Sequence, residues 1–139
     1  MLQTELNIYS DGGSRNNPGK AACAFVAFDS HGNLIHQEYK YLGITTNNIA
    51  EYEGVILAIH WLKSNLKGFT KVNFYLDSQL VVNQLNGIFR IKDSALKHRA
   101  DQINLMTKLI SIKDIKFIHI LRNLNFRADF LVNQCLDQI

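Results

Sequence analysis

The stretch LNIYSDGGSRNNPGKAACAFVAF, residues 6–28, decides how the rest of the chain must fold. Residues 6–10 alternate, with Leu6, Ile8 and Ser10 on one face and Asn7 and Tyr9 on the other, the period of a half-buried strand. Residues 11–19 carry the densest turn signal in the chain, with three glycines, two asparagines and the single proline. Residues 21–28 are small and apolar without alternation, which predicts a strand covered on both faces. His31, Gly32 and Asn33 form a further turn before a third strand over residues 34–42. Three strands joined by short turns predict an antiparallel meander.

Beyond the meander the period changes. Tyr52, Val55, Ile56, Ile59 and Leu62 recur every three to four residues, predicting a helix from residue 48 to about residue 66 that Gly68 ends. Residues 71–76 read as a fourth strand and 78–85 as a short helix broken by Asn86 and Gly87. A longer helix over 94–110 uses Leu96, Ile103, Leu105, Met106, Leu109 and Ile110. A fifth strand at 115–121 and a last helix at 126–136 complete the order β-β-β-α-β-α-α-β-α. Strands four and five, each reached by a helical crossover, are expected parallel to strand one. The expected class is α/β: a mixed five-stranded sheet, three antiparallel strands and two further parallel ones, flanked by helices. With 139 residues, 47% of them hydrophobic, one domain over residues 1–139 is expected.

The chain starts Met1, Leu2, Gln3, Thr4, Glu5, without the basic and apolar regions of a secretory leader, and no apolar run reaches membrane-spanning length. A cytoplasmic protein, monomeric and without membrane contact, is the expectation. Cys23 and Cys135 lack the spacing of a zinc or redox pair and read as buried thiols. The formal charge of +3 is uneven, with 5 Lys/Arg against 6 Asp/Glu in residues 1–70 and 10 against 6 in residues 71–139. Were some of these acids committed to a metal, the remaining surface would be basic enough for a polyanionic partner.

Asp11, Glu51, Asp77 and Asp129 each lie where a predicted strand gives way to a turn or helix. Taken singly they have ordinary roles: Asp11 in a turn, Glu51 in a capping box with Asn48, Asp77 as an N-cap, Asp129 in a first helical turn. Their joint placement is not explained by capping. If strands one and four are parallel neighbours, Asp11 and Asp77 end them at the same sheet edge. At about 100° per residue, Glu51 lies at the margin of the buried helix face, whereas Glu53 is expected in solvent. Carboxylates gathered in this way repel unless a cation sits among them, and an all-oxygen set without His or Cys favours Mg²⁺ or Mn²⁺. Two such ions are suited to phosphodiester hydrolysis.

Around these acids, Asp11-Gly12-Gly13-Ser14 through Pro18-Gly19, Thr46-Asn47-Asn48 with Glu51, Asp77-Ser78-Gln79, and Arg122 with Asn125, Ala128 and Asp129 together resemble type 1 ribonuclease H. The four motifs lie in register over nearly the whole chain and resemble the prokaryotic and archaeal-like branch. The resemblance implies endonucleolytic hydrolysis of the RNA strand of RNA/DNA hybrids, leaving 5′-phosphates. It implies two Mg²⁺ ions, replaceable by Mn²⁺, held by Asp11, Glu51, Asp77 and Asp129. Asn17, Asn47, Asn48 and Gln79 are the residues it assigns to the RNA strand, where amides can both donate to and accept from 2′-hydroxyls. A related nuclease that also cleaves double-stranded RNA stays open; a non-catalytic hybrid-binding module would be expected to have lost a carboxylate, and none is lost.

Two departures from the family pattern stand out. Many members place a histidine on a loop before the last acid, but His119 falls in a strand-like run and is expected on the sheet face. Arg122 is better placed to assist the chemistry or to hold a phosphate. The segment between Asn86 and Ser94 is also short, leaving Arg90, Lys92, Lys97, Arg99 and the lone aromatic Phe89 where relatives carry a longer basic handle. Phosphate contacts and salt-sensitive binding follow.

Overall fold

The computed structural model describes residues 5–65 and 67–139, so the readings made on residues 1–4 and on the helix end at residue 66 lie outside it. The observed elements are β1 (Glu5–Arg15), β2 (Gly19–Asp29), β3 (Leu34–Thr45), α1 (Asn47–Lys63), β4 (Lys71–Leu76), α2 (Gln79–Leu85), α3 (Ser94–Leu109), β5 (Asp114–His119), a 3₁₀ turn (Arg122–Asn125) and α4 (Phe126–Asp137). The sheet order is β3-β2-β1-β4-β5, antiparallel across β1, β2 and β3 and parallel across β1, β4 and β5. This is the expected mixed sheet.

Strand β2 explains the layering. Its residues from Ala21 to Ala27 are fully buried because helices cover both faces. Phe25 and Ala27 join Leu6, Ile8, Phe74 and Leu76 under α1 and α3, whereas Ala22, Ala24 and Val26 pack beneath α4. Alanines keep both helices close to the sheet. The two cysteines are buried and unpaired, as read.

Several boundaries differ from the sequence reading, each for a physical reason. The glycine-rich run is no open turn: β1 continues to Arg15, paired with Lys20, and only Asn16, Asn17 and Pro18 make the bend, with Asn16 in the left-handed region. Asp11 therefore lies within β1 opposite Ala24 rather than at its end. Strand β5 stops at His119, which is exposed rather than packed on the sheet face, and Leu121 is exposed beyond it. In α3, Leu96, Ile103 and Met106 are buried, but Leu105 and Leu109 point outward because they fall off that stripe. Glu53 is not a solvent residue; Arg99 Nε donates to its Oε2 at 2.8 Å, tying α3 to α1.

What the sequence presented as turn glycine is a close-packing device. A Cβ on Gly12 would lie 2.1 Å from the Ala50 carbonyl, and one on Gly54 would lie 2.7 Å from the Asp11 carbonyl oxygen. Helix α1 thus presses its backbone against β1 beside Asp11 and Glu51. Gly13 differs, since a Cβ there would meet Val132 at an ordinary 3.6 Å. Gly12→Ala is expected to cost about 3 kcal/mol or more, through forced backbone displacement, and Gly13→Ala much less. Urea unfolding of the two variants checks this; equal losses would mean that close approach is not what Gly12 supplies.

Candidate active site

Strands β1 and β4 pair in parallel from Glu5 with Lys71 to Tyr9 with Tyr75. Continuing that register by two residues sets Asp11 against Asp77, just past Leu76 at the end of β4. Glu51 comes from the first turns of α1, carried over β1 by the Gly12 contact. One carboxylate oxygen from each of Asp11, Glu51 and Asp77 lies within 4.8 Å of the others. Asp129, in the first turn of α4, joins Asp11, Glu51, Asp77 and Arg122 in lining a cleft of about 460 Å³. All four predicted acids are brought together, three tightly and Asp129 at the rim.

None of the competing capping roles for Glu51 and Asp77 is realised. Thr46, not Asn48, caps α1 by accepting from Ile49 N–H at 3.3 Å, and Ser78, not Asp77, caps α2 by accepting from Val81 N–H at 3.3 Å. Asp77 and Glu51 are therefore left without a structural duty as helix caps. Electrostatics shows the cost of crowding them. Burial, reinforced by Asp77 and Asp129, raises the Asp11 carboxyl to about 7. Glu51 rises well above the usual carboxylate range for the same reason, chiefly burial and then the charges of Asp11 and Asp77. Burial also raises Asp77, opposed by the Arg122 charge and by a hydrogen bond from Asn125.

These residues fit a hard divalent cation. Glu51 is 8% exposed and its Oε2 is buried with no hydrogen-bond partner among the described residues, although such an atom ordinarily costs stability. Three converging carboxylates raised first by burial and then by one another's charge are an arrangement that a bound cation would relieve.

The residues expected to meet RNA occupy the rim in two groups. Ser14 N–H donates to Asn47 Oδ1 at 2.8 Å, and Asn47 N–H donates to Asn17 Oδ1 at 3.0 Å, stitching the β1–β2 hairpin to the start of α1. Asn47 lines the cleft and Asn17 is one bond behind it; Asn48 is half-buried beside them and is absent from the cleft wall. With the oxygens of Asn17 and Asn47 engaged internally, these side chains offer a ligand chiefly their NH₂ donors, a narrower role than the two-way contact read from sequence. Gln79 is exposed at the start of α2, next to Ser78 of the cleft.

Arg122 reaches the cleft, as expected; His119 is not among its lining residues. Of the basic residues read as a substitute handle, Lys97 pairs with Asp101 at 2.6 Å and Arg99 with Glu53, which removes Arg99 from phosphate binding. One functional residue was given no role from sequence. Asn125 is 1% exposed, its Nδ2 donates to the Ser10 carbonyl at 2.8 Å, and its side chain helps lower the Asp77 carboxyl. It ties the start of α4 to β1 next to Asp11. Its place in the Arg122, Asn125, Ala128, Asp129 spacing was the available signal.

Comparison with known proteins agrees with this geometry. Residues 9–135 match the family described as reverse transcriptase-like. Ribonuclease HI of Halobacterium salinarum is 34% identical over 132 residues, 95% of this chain and 64% of that protein. A bifunctional protein of Mycobacterium tuberculosis is 33% identical over 94% of this chain, which spans 35% of its length. Among solved structures, RNase H1 of Halobacterium salinarum aligns with a TM-score of 0.89 at 32% identity, covering 97% of this chain and 99% of that one. LC11-RNase H1, from a compost metagenome and solved in complex with an RNA/DNA hybrid, aligns at 0.91 with 37% identity, covering 96% and 97%.

Proposed function

Because the chain belongs to the ribonuclease H1 family within the reverse transcriptase-like group, we propose that residues 1–139 act as one domain that hydrolyses the RNA strand of RNA/DNA hybrids. The observation that carries the reading is the convergence of Asp11, Glu51 and Asp77 within 4.8 Å at the end of two parallel strands, with Asp129 across the same cleft.

Asp11, Glu51, Asp77 and Asp129 would hold the metal, with Asp11 and Asp77 as central ligands, Glu51 as the ligand nearer the attacking water and Asp129 as the more peripheral one. Two Mg²⁺ ions bound there supply a lowered pKa for the water and charge stabilisation for the leaving oxygen. Burial holds Glu51 and Asp11 protonated more readily than ordinary carboxylates, and both would have to give up those protons to serve as metal ligands. Asn17 and Asn47 present amide donors on the hairpin side, Asn48 sits behind them, and Gln79 approaches from α2. These groups are suited to 2′-hydroxyls on the minor-groove side of the hybrid. Hydrolysis leaves a 5′-phosphate and a 3′-hydroxyl, and the domain works as a monomer.

The test is incubation with labelled RNA/DNA hybrid, double-stranded RNA and double-stranded DNA, each with Mg²⁺, Mn²⁺ or chelator. Metal-dependent cuts in the RNA of the hybrid are expected; their absence sinks the reading. Cutting of double-stranded RNA at a comparable rate would widen the substrate class.

Arg122 assists by charge. It lowers the Asp77 carboxyl, so Arg122→Ala is expected to move the acid limb of the pH–rate profile to higher pH. Its rate loss should be roughly 10- to 100-fold, at or below the ~10²–10³ of a preorganised buried donor because Arg122 is exposed. His119→Ala should stay within about 2-fold of the parent, since His119 forms no part of the cleft wall. A slow His119→Ala beside an unimpaired Arg122→Ala would reverse the assignment.

A further inference from the structure

The cleft does not end at Asp129. Asp129 and Asn133 also line a shallow groove of about 750 Å³ along the outer side of α4 towards Gln37 of β3. Phe126 and Arg127, on the first turn of α4, line both this groove and an adjoining hollow of about 370 Å³ walled by Tyr9 and Phe28. Shared residues thus make one path from the acids along α4.

Its surface chemistry is unusual for a soluble exterior. Phe126 is 63% and Phe130 64% exposed, one helical turn apart and flanking Asp129 in sequence. Two phenylalanines beside a charged cleft leave most of their surface in water, forgoing the greater part of the burial such side chains normally seek. Arg127 stands between them with its guanidinium 5.1 Å from the Phe28 ring centroid, and among the described residues it makes no ion pair. Gln37, Asn133 and Gln134 supply neutral amides. A groove that recognised an apolar helix would not need the cation and amides. A purely ionic duplex contact would not need the rings.

Aromatic faces, an unpaired arginine and amides in a row are what a single strand of nucleic acid requires: stacking for bases of any sequence and one charge for the backbone. We propose that the α4 groove binds unpaired nucleotides that continue from the scissile strand beyond the hybrid, with bases stacked on Phe126 and Phe130 and a phosphate on Arg127. The domain would then engage junctions, where RNA leaves a hybrid as a single strand, in preference to blunt hybrid. This rests on the hybrid reading above, since it is the cleft that brings the strand to the groove.

Fluorescence anisotropy in chelator compares a blunt RNA/DNA hybrid with the same hybrid bearing a six-nucleotide RNA extension at either end. A third ligand carries an abasic extension of the same length and charge. The parent protein is expected to bind one extended form about 5- to 100-fold more tightly than the blunt form, and the abasic form no better than blunt. Phe126→Ser/Phe130→Ser should abolish the preference while leaving blunt-hybrid binding and Mg²⁺-dependent cleavage unchanged; Arg127→Ala should weaken it. No preference in the parent, or a preference kept by the abasic form or by the double serine variant, overturns the proposal. So does a parent that sediments as a dimer which the double variant dissolves, because the rings would then be covered by a second copy. Cleavage of blunt hybrid in the same series separates this outcome from failure of the hybrid reading. If blunt hybrid is neither bound nor cut, anisotropy with the single-stranded extension alone still tests the groove.

Discussion

With Mg²⁺ and an RNA/DNA hybrid, Asp77→Asn is expected to lower the cleavage rate by about 10³-fold or more, with the fold retained. The change keeps the side chain's shape and takes away its charge at the point where β4 ends against β1. Nothing structural is lost with it, since Ser78 caps α2. What is lost is a charge facing Asp11 and Glu51, and on the proposed function a cation held by three acids would be weakened when one becomes neutral. Asp93→Asn is the matched control: Asp93 is a true helix cap, accepting from Ala95 and Leu96 N–H at 2.9 and 3.0 Å, and it lies outside the cleft. Its rate should equal that of the parent. Circular dichroism confirms that both variants are folded, and single-turnover rates decide. A rate for Asp77→Asn within about 10-fold of the parent would falsify the assignment of Asp77 as a central ligand.

Most of the architecture was legible because period and crossover rules act locally. Alternation in residues 6–10, the small apolar run of β2 and the helical period of α1 were enough to set strand order and the parallel pairing of β1 with β4. That pairing alone predicts Asp11 beside Asp77. The errors share a cause, which is that sequence does not reveal which of two equivalent local partners tertiary packing selects. Thr46 and Asn48 are both capable caps, as are Ser78 and Asp77, and the chain uses the hydroxyl in each pair. Gly12 reads as a turn until α1 is placed against β1, where only a missing Cβ allows contact. Glu53 looks solvent-facing on α1 alone and becomes a partner of Arg99 once α3 packs there. Asn125 is hardest to read, because its hydrogen bond is to the Ser10 carbonyl 115 positions away, and no local pattern announces it.

In metal-free buffer at pH 8, Asp11→Asn is expected to be more stable than the parent, the reverse of its effect on activity. The folded Asp11 carboxyl is raised to about 7 from an ordinary 3.8 by burial and by Asp77 and Asp129. Between about pH 4 and pH 7 the folded state therefore holds a proton that the unfolded chain has released, so the parent loses stability as pH rises through this window and carries the whole penalty above it. At ~1.36 kcal/mol per pKa unit the penalty is on the order of 4 kcal/mol, or about 10 °C in melting temperature for a domain of this size. An asparagine has no proton to lose, so its advantage should be largest at pH 8 and vanish near pH 4. Saturating Mg²⁺ should then raise the melting temperature of the parent far more than that of the variant, because ligation offsets the repulsion only where the carboxylate remains. A variant no more stable than the parent at pH 8 in chelator, or a gap that persists unchanged at pH 4, would show that the crowded acids are not held at a cost and that the case for a cation completing them has lost its physical basis.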